Sequence, residues 1–322
     1  MHPALVPLLA DQDGVVSRRQ AHEVGVSDPE LRSLLRRRML AKVHPGVYVD
    51  HTGKPTWNQL AWAAVLLCWP AVLAGSSALR AHEGPGTSRS VGPIVVAVAR
   101  DRHPASRAGI RVVRRDHLEQ RAQWNLGPPR LRYEEAVVDV AAEARSDFAA
   151  LAELSKAVQG RRTTAERLMR TIANRTRVPR RDWMTDVLTD VAAGTCSVLE
   201  HGYLTRVERP HGLTTARRQV RDRLGAGTVF RDVVYAVGPV FELDGRLFHD
   251  TTAQRDKDMD RDLLTAVGGQ DTVRLSYGQV YDRPCWTAAA VALLLESAGW
   301  EGQPRRCGPD CWVGRLDVSL PA

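Results

Sequence analysis

The residues best suited to chemistry are three carboxylates in the last third of the chain, Asp232, Glu242 and Asp244, with His249 shortly after them. Val240-Phe241-Glu242-Leu243-Asp244-Gly245 alternates, so in a strand Glu242 and Asp244 share one face while Phe241 and Leu243 share the other. Carboxylates on one face of an otherwise apolar strand are costly to bury without a cation. Asp232, in the middle of the preceding strand-like run, can reach the same point. An all-oxygen donor set suits Mg²⁺ or Mn²⁺, and Asp232, Glu242 and Glu200 are the expected ligands. Such an ion polarises a phosphate oxygen and activates water, so the chemistry implied is hydrolysis of a phosphodiester. His249 is placed to act as general acid or base near neutral pH, completing a catalytic set of Asp232, Glu242, Asp244, His249 and Glu200. Each residue also has a plainer reading. Asp232 alone serves in a turn or salt bridge, Glu242 and Asp244 can pair with Arg231, Arg246 or Arg274, and His249 alone is a surface residue. Asp258 and Arg261 stand at the i,i+3 spacing of a stabilising helix pair.

These side chains need a sheet and flanking helices to hold them. From Trp183 the pattern reads helix, strands, helix, strand, helix. Ser197-Val198-Leu199-Glu200 lies on the first helix, Gln219-Val220 opens strand-like sequence, and Thr228 to Val237 is a strand carrying Asp232. Gly238-Pro239 makes a tight turn, so the strand Val240 to Gly245 is expected to pair antiparallel with it. Val273-Arg274-Leu275 supplies another strand, and Trp286 to Leu295 the last helix. From Ser197 onward the chain resembles a group of Vsr-like proteins built on the PD-(D/E)XK restriction-endonuclease fold. The likeness is carried by Ser197 and Glu200, by Asp232, by Glu242, Asp244, Gly245 and His249, by Asp258 and Arg261, and by Arg274 in its strand. It implies a three-layer α/β/α nuclease domain over residues 183–298 and a Mg²⁺-dependent endonuclease activity. Asp244 departs from the usual pattern, which has lysine there; the nearest lysine is Lys257. The Vsr-like branch also lacks that lysine and relies on histidine, a part His249 can take.

The N-terminal residues 1–50 read as a winged helix-turn-helix. Leu5-Val6-Pro7-Leu8-Leu9 ends at the turn Asp11-Gln12-Asp13-Gly14, and Ser17 caps a short helix running to Val24. Gly25 supplies a tight turn, after which Ser27 and Glu30 form a capping box and Pro29 sits in the first turn of the next helix. Leu31, Leu34 and Leu35 share one face; Arg32, Arg36 and Arg37 project elsewhere, as a helix lying in a major groove requires. Arg18 and Arg19, on the helix before, are further candidate DNA contacts. Leu40 to Val49 alternates and turns at His44-Pro45-Gly46, which suits a two-stranded wing. This stretch resembles the N-terminal domain of AbiEi-type antitoxins, which are DNA-binding regulators of abortive-infection toxin–antitoxin pairs. The resemblance covers about the first fifth of the chain and implies DNA as partner, with a cognate toxin protein as a second. The plainer alternative is a helical hairpin used for protein contacts.

Between these ends, residues 51–145 read as a companion domain: an Ala-, Leu- and Trp-rich helix from Trp57 to Trp69, a helix opening at Gly75, strands Ile94 to Ala99 and Gly109 to Arg114, and an amphipathic helix from Glu134 to Ala144. Residues 146–182 read as a basic helical linker. Eight arginines fall between Arg161 and Arg181 with Glu166 as the one acid, which points to sequence-independent phosphate contact. Residues 299–322 form a tail. The whole 322-residue chain carries a net charge of +8, and lysine occurs only at 42, 54, 156 and 257. Arginine forks suit phosphates and guanine edges, although a GC-rich genome also enriches arginine. The start lacks a secretory leader, and the most apolar run, Leu60 to Ala74, is short for a span and broken by Pro70, so a cytoplasmic protein with no membrane partner is expected. The five cysteines are expected as reduced thiols. Cys307 and Cys311 are spaced to share a metal, but no second pair or nearby His completes a tetrahedral set, so no zinc site is expected. No Gly-rich phosphate loop or nucleophile elbow is present, which argues against a metabolic enzyme. An α+β or α/β multidomain chain is therefore expected, either a DNA-binding endonuclease or a non-catalytic repressor with an inactive nuclease fold.

Overall fold

The computed structural model describes residues 2–84, 92–105, 107–193, 197–224, 227–244 and 272–315. The chain is a mixed α+β protein divided into two compact units, Met1–Val140 and Ala141–Ala322. No helix of the described residues is long and apolar enough to cross a membrane.

In the first unit, α1 (Val6–Asp11), β1 (Val15–Ser17), α2 (Arg18–Glu23), α3 (Asp28–Arg36), β2 (Ala41–His44) and β3 (Val47–Val49) follow one another. Serine caps start both short helices. Ser17 forms a capping box with Gln20 ahead of α2, and Ser27 forms one with Glu30 ahead of α3. Gly25 takes φ +85° in the turn between them, a conformation that side chains disfavour. The strands form an antiparallel sheet in the order β1-β3-β2. The expected hairpin of β2 and β3 is thus joined by a third strand, β1, directly after the turn at Gly14. Strand alternation sends the sheet's side chains two ways. Val16 and Tyr48 join Leu5, Leu9, Ala21, Val26, Leu31, Leu34 and Leu40 beneath the helices. Val15, Val47 and Val49 instead meet Trp62, Ala63 and Leu66 of α4 (Trp57–Leu67) on the opposite face. Both faces are buried, which is why the valines of β1 and β3 fall on either side without a polar alternation.

Beyond α4 lie β4 (Val72–Leu73), α5 (Gly75–Glu83), β5 (Ile94–Ala99), β6 (Ile110–Arg115), α6 (Leu118–Arg121), β7 (Ala122–Gln123), β8 (Arg130–Leu131) and α7 (Tyr133–Ala142). Their sheet runs β6-β5-β4-β8-β7, with β5 and β6 parallel and β4 and β5 antiparallel. Two arginines are structural here. Arg102 donates to the carbonyls of Cys68, Trp69 and Pro70 just past the end of α4, at 2.7–2.8 Å. Arg130, buried, donates to those of Pro128, Gly127 and Ala81. Both satisfy carbonyls that the ends of local elements leave open.

In the second unit, α8 (Asp147–Gln159), α9 (Ala165–Ala173), α10 (Arg181–Ala193) and α11 (Ser197–Gly202) lead into a π-helical turn, Tyr203–Glu208. The sheet follows: β9 (Arg217–Leu224), β10 (Gly227–Val234), β11 (Val240–Leu243) and β12 (Thr272–Leu275), then α12 (Pro284–Ser297). Its order is β12-β11-β10-β9, antiparallel except for the parallel β11–β12 pair. The turn at Gly238-Pro239 gives the expected antiparallel register, Val233 opposite Phe241. Phe241 and Leu243 are buried and Glu242 half-buried, so the alternation of β11 holds. Gly202 is required by a close approach: a Cβ there would lie 2.6 Å from the Tyr281 ring. Residues 146–182 are not a free spacer, since Leu151, Leu154, Leu168 and Ile172 are buried within this unit.

Candidate functional site

Helix α3 exposes Arg32 and Arg36, with exposed Arg37 at its C-terminal cap, while Leu31 and Leu34 face the core. What makes this face unusual is the fate of its acids. Asp28 stands four residues before Arg32 and would be its natural helical partner. It is instead held by Arg18, whose Nε donates to Oδ1 at 2.8 Å and whose Nη2 reaches Oδ2, and by His22 Nε2 at 2.8 Å. These bonds hold the Asp28 carboxyl below the usual carboxylate range. Glu30 is spent on the cap, accepting from the Ser27 amide at 2.8 Å and hydroxyl at 2.7 Å. Among the described residues, Arg32, Arg36 and Arg37 have no ion-pair partner. Arg18 and Arg19, also expected to touch DNA, are used differently. Arg18 ties α2 to α3 through Asp28; Arg19 pairs with Glu23 at 2.5 Å and lies over the Trp69 ring at 5.2 Å.

The carboxylates of the second unit show the opposite pattern. Glu242 Oε1 accepts from Arg231 Nη1 at 2.8 Å, and Oε2 lies 3.6 Å from Arg274 Nε. Arg274 arrives through the parallel register that sets it beside Glu242. Asp232 Oδ2 accepts the Leu243 amide at 2.7 Å, and Oδ1 accepts Gln219 Nε2 at 3.3 Å. The same Gln219 nitrogen donates to Glu200 Oε1 at 2.6 Å, so Asp232 and Glu200 converge on one amide. Burial pushes the Asp232 carboxyl above its ordinary range against the hold of the Leu243 amide, and the neighbouring Glu242 adds to the rise. Asp244 donates its amide to the Leu275 carbonyl at 2.9 Å and is half-buried. His249, Gly245, Arg246, Lys257, Asp258 and Arg261 lie outside the described residues. The donors at Glu200 and Asp232 fit a hard cation in kind. Glu242 fits one poorly, because both its oxygens face guanidinium groups. Asp232, Glu242 and Glu200 form no group of mutually close ligand atoms among the described residues.

Such a group closes elsewhere, and it overturns the expectation that Cys307 and Cys311 lack further ligands. His211, Cys285, Cys307 and Cys311 each offer a ligand atom, and all four atoms lie within 4.8 Å of one another. Cys285 Sγ is 3.3 Å from Cys307 Sγ. Burial and the neighbouring Cys307 thiol push Cys285 up to about 12. Burial also works to raise Cys311, but the Val313 and Cys307 amides and the adjacent thiols bring it below its usual value. In the sequence only the Cys307–Cys311 spacing hints at this site, because the other two residues arrive through folding.

The arginine-rich run from 161 to 181 is only partly a surface. Arg180 donates to the carbonyls of Ala142 and Ala144 and pairs with Asp147 at 3.0 Å. Arg181 donates to those of Ile172 and Arg175, and Arg175 is itself buried. Asp147, an acid from outside the run, also receives Arg206 at 2.7 Å. Arg161, Arg162, Arg167, Arg170 and Arg177 remain at the surface.

No family model and no curated protein matches the chain. Among solved structures, it is similar to the crystal structure of the RV2827C protein from Mycobacterium tuberculosis at 21% identity and a TM-score of 0.36, over 59% of this chain and 78% of that one.

Proposed function

We propose that this is a DNA-binding protein whose N-terminal module is a winged helix-turn-helix, with α3 reading the major groove. The observation that carries the proposal is the exposure of Arg32 and Arg36 on α3 and of Arg37 at its C-terminal cap, while the helix's own acids are engaged at its start. Uncompensated guanidiniums on a helix face are suited to phosphates and to the O6 and N7 atoms of guanine. The β2–β3 hairpin, with Lys42 exposed on it, is the wing and adds a phosphate contact. Together with the likeness to AbiEi-type antitoxins, this favours a repressor of its own promoter, with a cognate toxin as the protein partner. Titration of the full chain against its upstream DNA, with the Arg36→Ala/Arg37→Ala double variant beside it, tests the proposal. Equal binding by the wild type and the double variant would sink it.

A second reading concerns the other unit. The order β12-β11-β10-β9, with its parallel outer pair and flanking helices α11 and α12, supports a three-layer PD-(D/E)XK domain of the Vsr-like kind. Asp232 and Glu200 meeting at Gln219 favour a Mg²⁺ or Mn²⁺ position for phosphodiester hydrolysis. The ion pairs of Glu242 weigh the other way, so this unit is proposed first as a non-catalytic DNA-contacting fold. Plasmid nicking by the wild type in Mg²⁺ or Mn²⁺, abolished in Asp232→Ala, would reverse that order.

A further inference from the structure

We infer that His211, Cys285, Cys307 and Cys311 form a closed zinc centre that fastens the C-terminal tail to the second unit. The geometry suits one ion. Zinc bonds thiolate at about 2.3 Å, which sets tetrahedral sulfurs about 3.8 Å apart. The four ligand atoms here lie within 4.8 Å of one another, and the Cys285 and Cys307 sulfurs are 3.3 Å apart. That separation is well beyond the ~2.05 Å of a disulfide.

His211 is the second, independent sign. Its side chain is 1% exposed, and Nδ1 donates to the Val207 carbonyl at 2.8 Å. That bond fixes the tautomer and leaves the Nε2 lone pair free; Nε2 is buried with no hydrogen-bond partner. A buried imidazole nitrogen without a donor, beside three sulfurs, is what a ligating histidine offers a metal. Cys285 is the second residue of α12 and Cys311 lies in the tail, so the fold rather than the local sequence brings these sulfurs together. Three soft thiolates and an imidazole select zinc over the hard cations expected at Asp232.

The placement says what the ion is for. Residues 300–315 have no helix or strand, yet Cys311 and Val313 are buried. The tail is already guided to the site by Arg305, whose amide donates to the His211 carbonyl at 2.8 Å. Four protein ligands leave no open position, so the centre is structural rather than catalytic. It joins the segment before β9, the start of α12 and the tail into one piece.

The test is metal analysis of the full-length protein, purified without added metal and passed over a weak chelating resin. About one zinc per chain is expected in the wild type, falling to nearly none in the Cys285→Ser/Cys311→Ser double variant and unchanged in Cys68→Ser. His211→Cys should retain the metal where His211→Ala loses it. If the double variant does not fold, the wild type still decides: replacement by Co²⁺ should give the absorption of a tetrahedral thiolate site. A metal-free wild type that stays folded, iron in place of zinc, or a mass two hydrogens short from a Cys285–Cys307 disulfide would each overturn the inference. DNA binding by α3 lies in the other unit and does not enter this result.

Discussion

Helix α3 and strand β11 both carry charge on a face the solvent can reach, but they deal with it in opposite ways. On α3 the acids are drawn to the helix start, Asp28 by Arg18 and His22 and Glu30 by the Ser27 cap, and the arginines are left facing outward. On β11 the carboxylate of Glu242 is met by guanidiniums from the strands on either side, Arg231 on β10 and Arg274 on β12. A charge already matched inside the fold has little to gain from a ligand. An exposed, unmatched one keeps its full attraction for a phosphate. The contrast teaches that counting charges says less about function than finding which have partners within the chain.

The strongest way to break this comparison is on α3. Removing Arg36 and Arg37 together, as Arg36→Ala/Arg37→Ala, should weaken DNA binding by about 1–3 kcal/mol for each guanidinium that reads a base edge, measured by fluorescence anisotropy. If one of the two touches only phosphate, its removal should flatten the salt dependence by about one unit of slope and leave sequence preference alone. On β11, Glu242→Ala should destabilise the second unit by about 1–3 kcal/mol, because it removes a charged hydrogen bond from the largely buried Arg231 guanidinium. Urea denaturation checks this, and Mg²⁺ should not change the result. Stabilisation of the wild type by Mg²⁺, absent in Glu242→Ala, would make β11 a metal site after all.

Asp232→Asn gives a smaller, pH-dependent effect. A carboxyl raised by burial binds more protons folded than unfolded, so its contribution to stability falls as pH rises from the ordinary aspartate range through the raised value. The variant should therefore gain on the wild type toward neutral pH, and the difference should vanish in acid. Thermal melts across that range decide it; a variant less stable at neutral pH would show that the charged form is the stabilised one. Least of all, Arg274→Ala should cost about 0–1 kcal/mol, since that side chain is more than half exposed and Arg231 still holds Glu242. Urea midpoints of the two proteins measure it, and a larger cost would make Arg274 the principal partner of Glu242.

What can be read from the sequence is set by chemistry close along the chain. Ser27 and Glu30 mark the start of α3, Gly25 the turn before it, and Gly238-Pro239 the hairpin that aligns β10 with β11. Strands β4, β7 and β8 are not legible, because two residues leave no periodicity to detect. The roles of Arg102, Arg130 and Arg180 are hidden for another reason: each reaches a carbonyl that only the fold brings near, Cys68 for Arg102, Ala81 for Arg130 and Ala142 for Arg180. Glu242 has two readings in the sequence, metal ligand or ion-pair partner. The parallel pairing of β12, which no local signal encodes, is what sets Arg274 beside it. His211 and Cys285 lie far from Cys307 in the chain, so their convergence has no sequence signature at all.

The two-sided burial of the N-terminal sheet has a practical consequence for cutting the chain into smaller pieces. Val15, Val47 and Val49 rest on Trp62, Ala63 and Leu66, so cutting after residue 50 would uncover an apolar surface and invite aggregation. The smallest piece that keeps both faces of this sheet covered must carry α4 with it, and changes at the exposed positions of α3 leave that packing untouched.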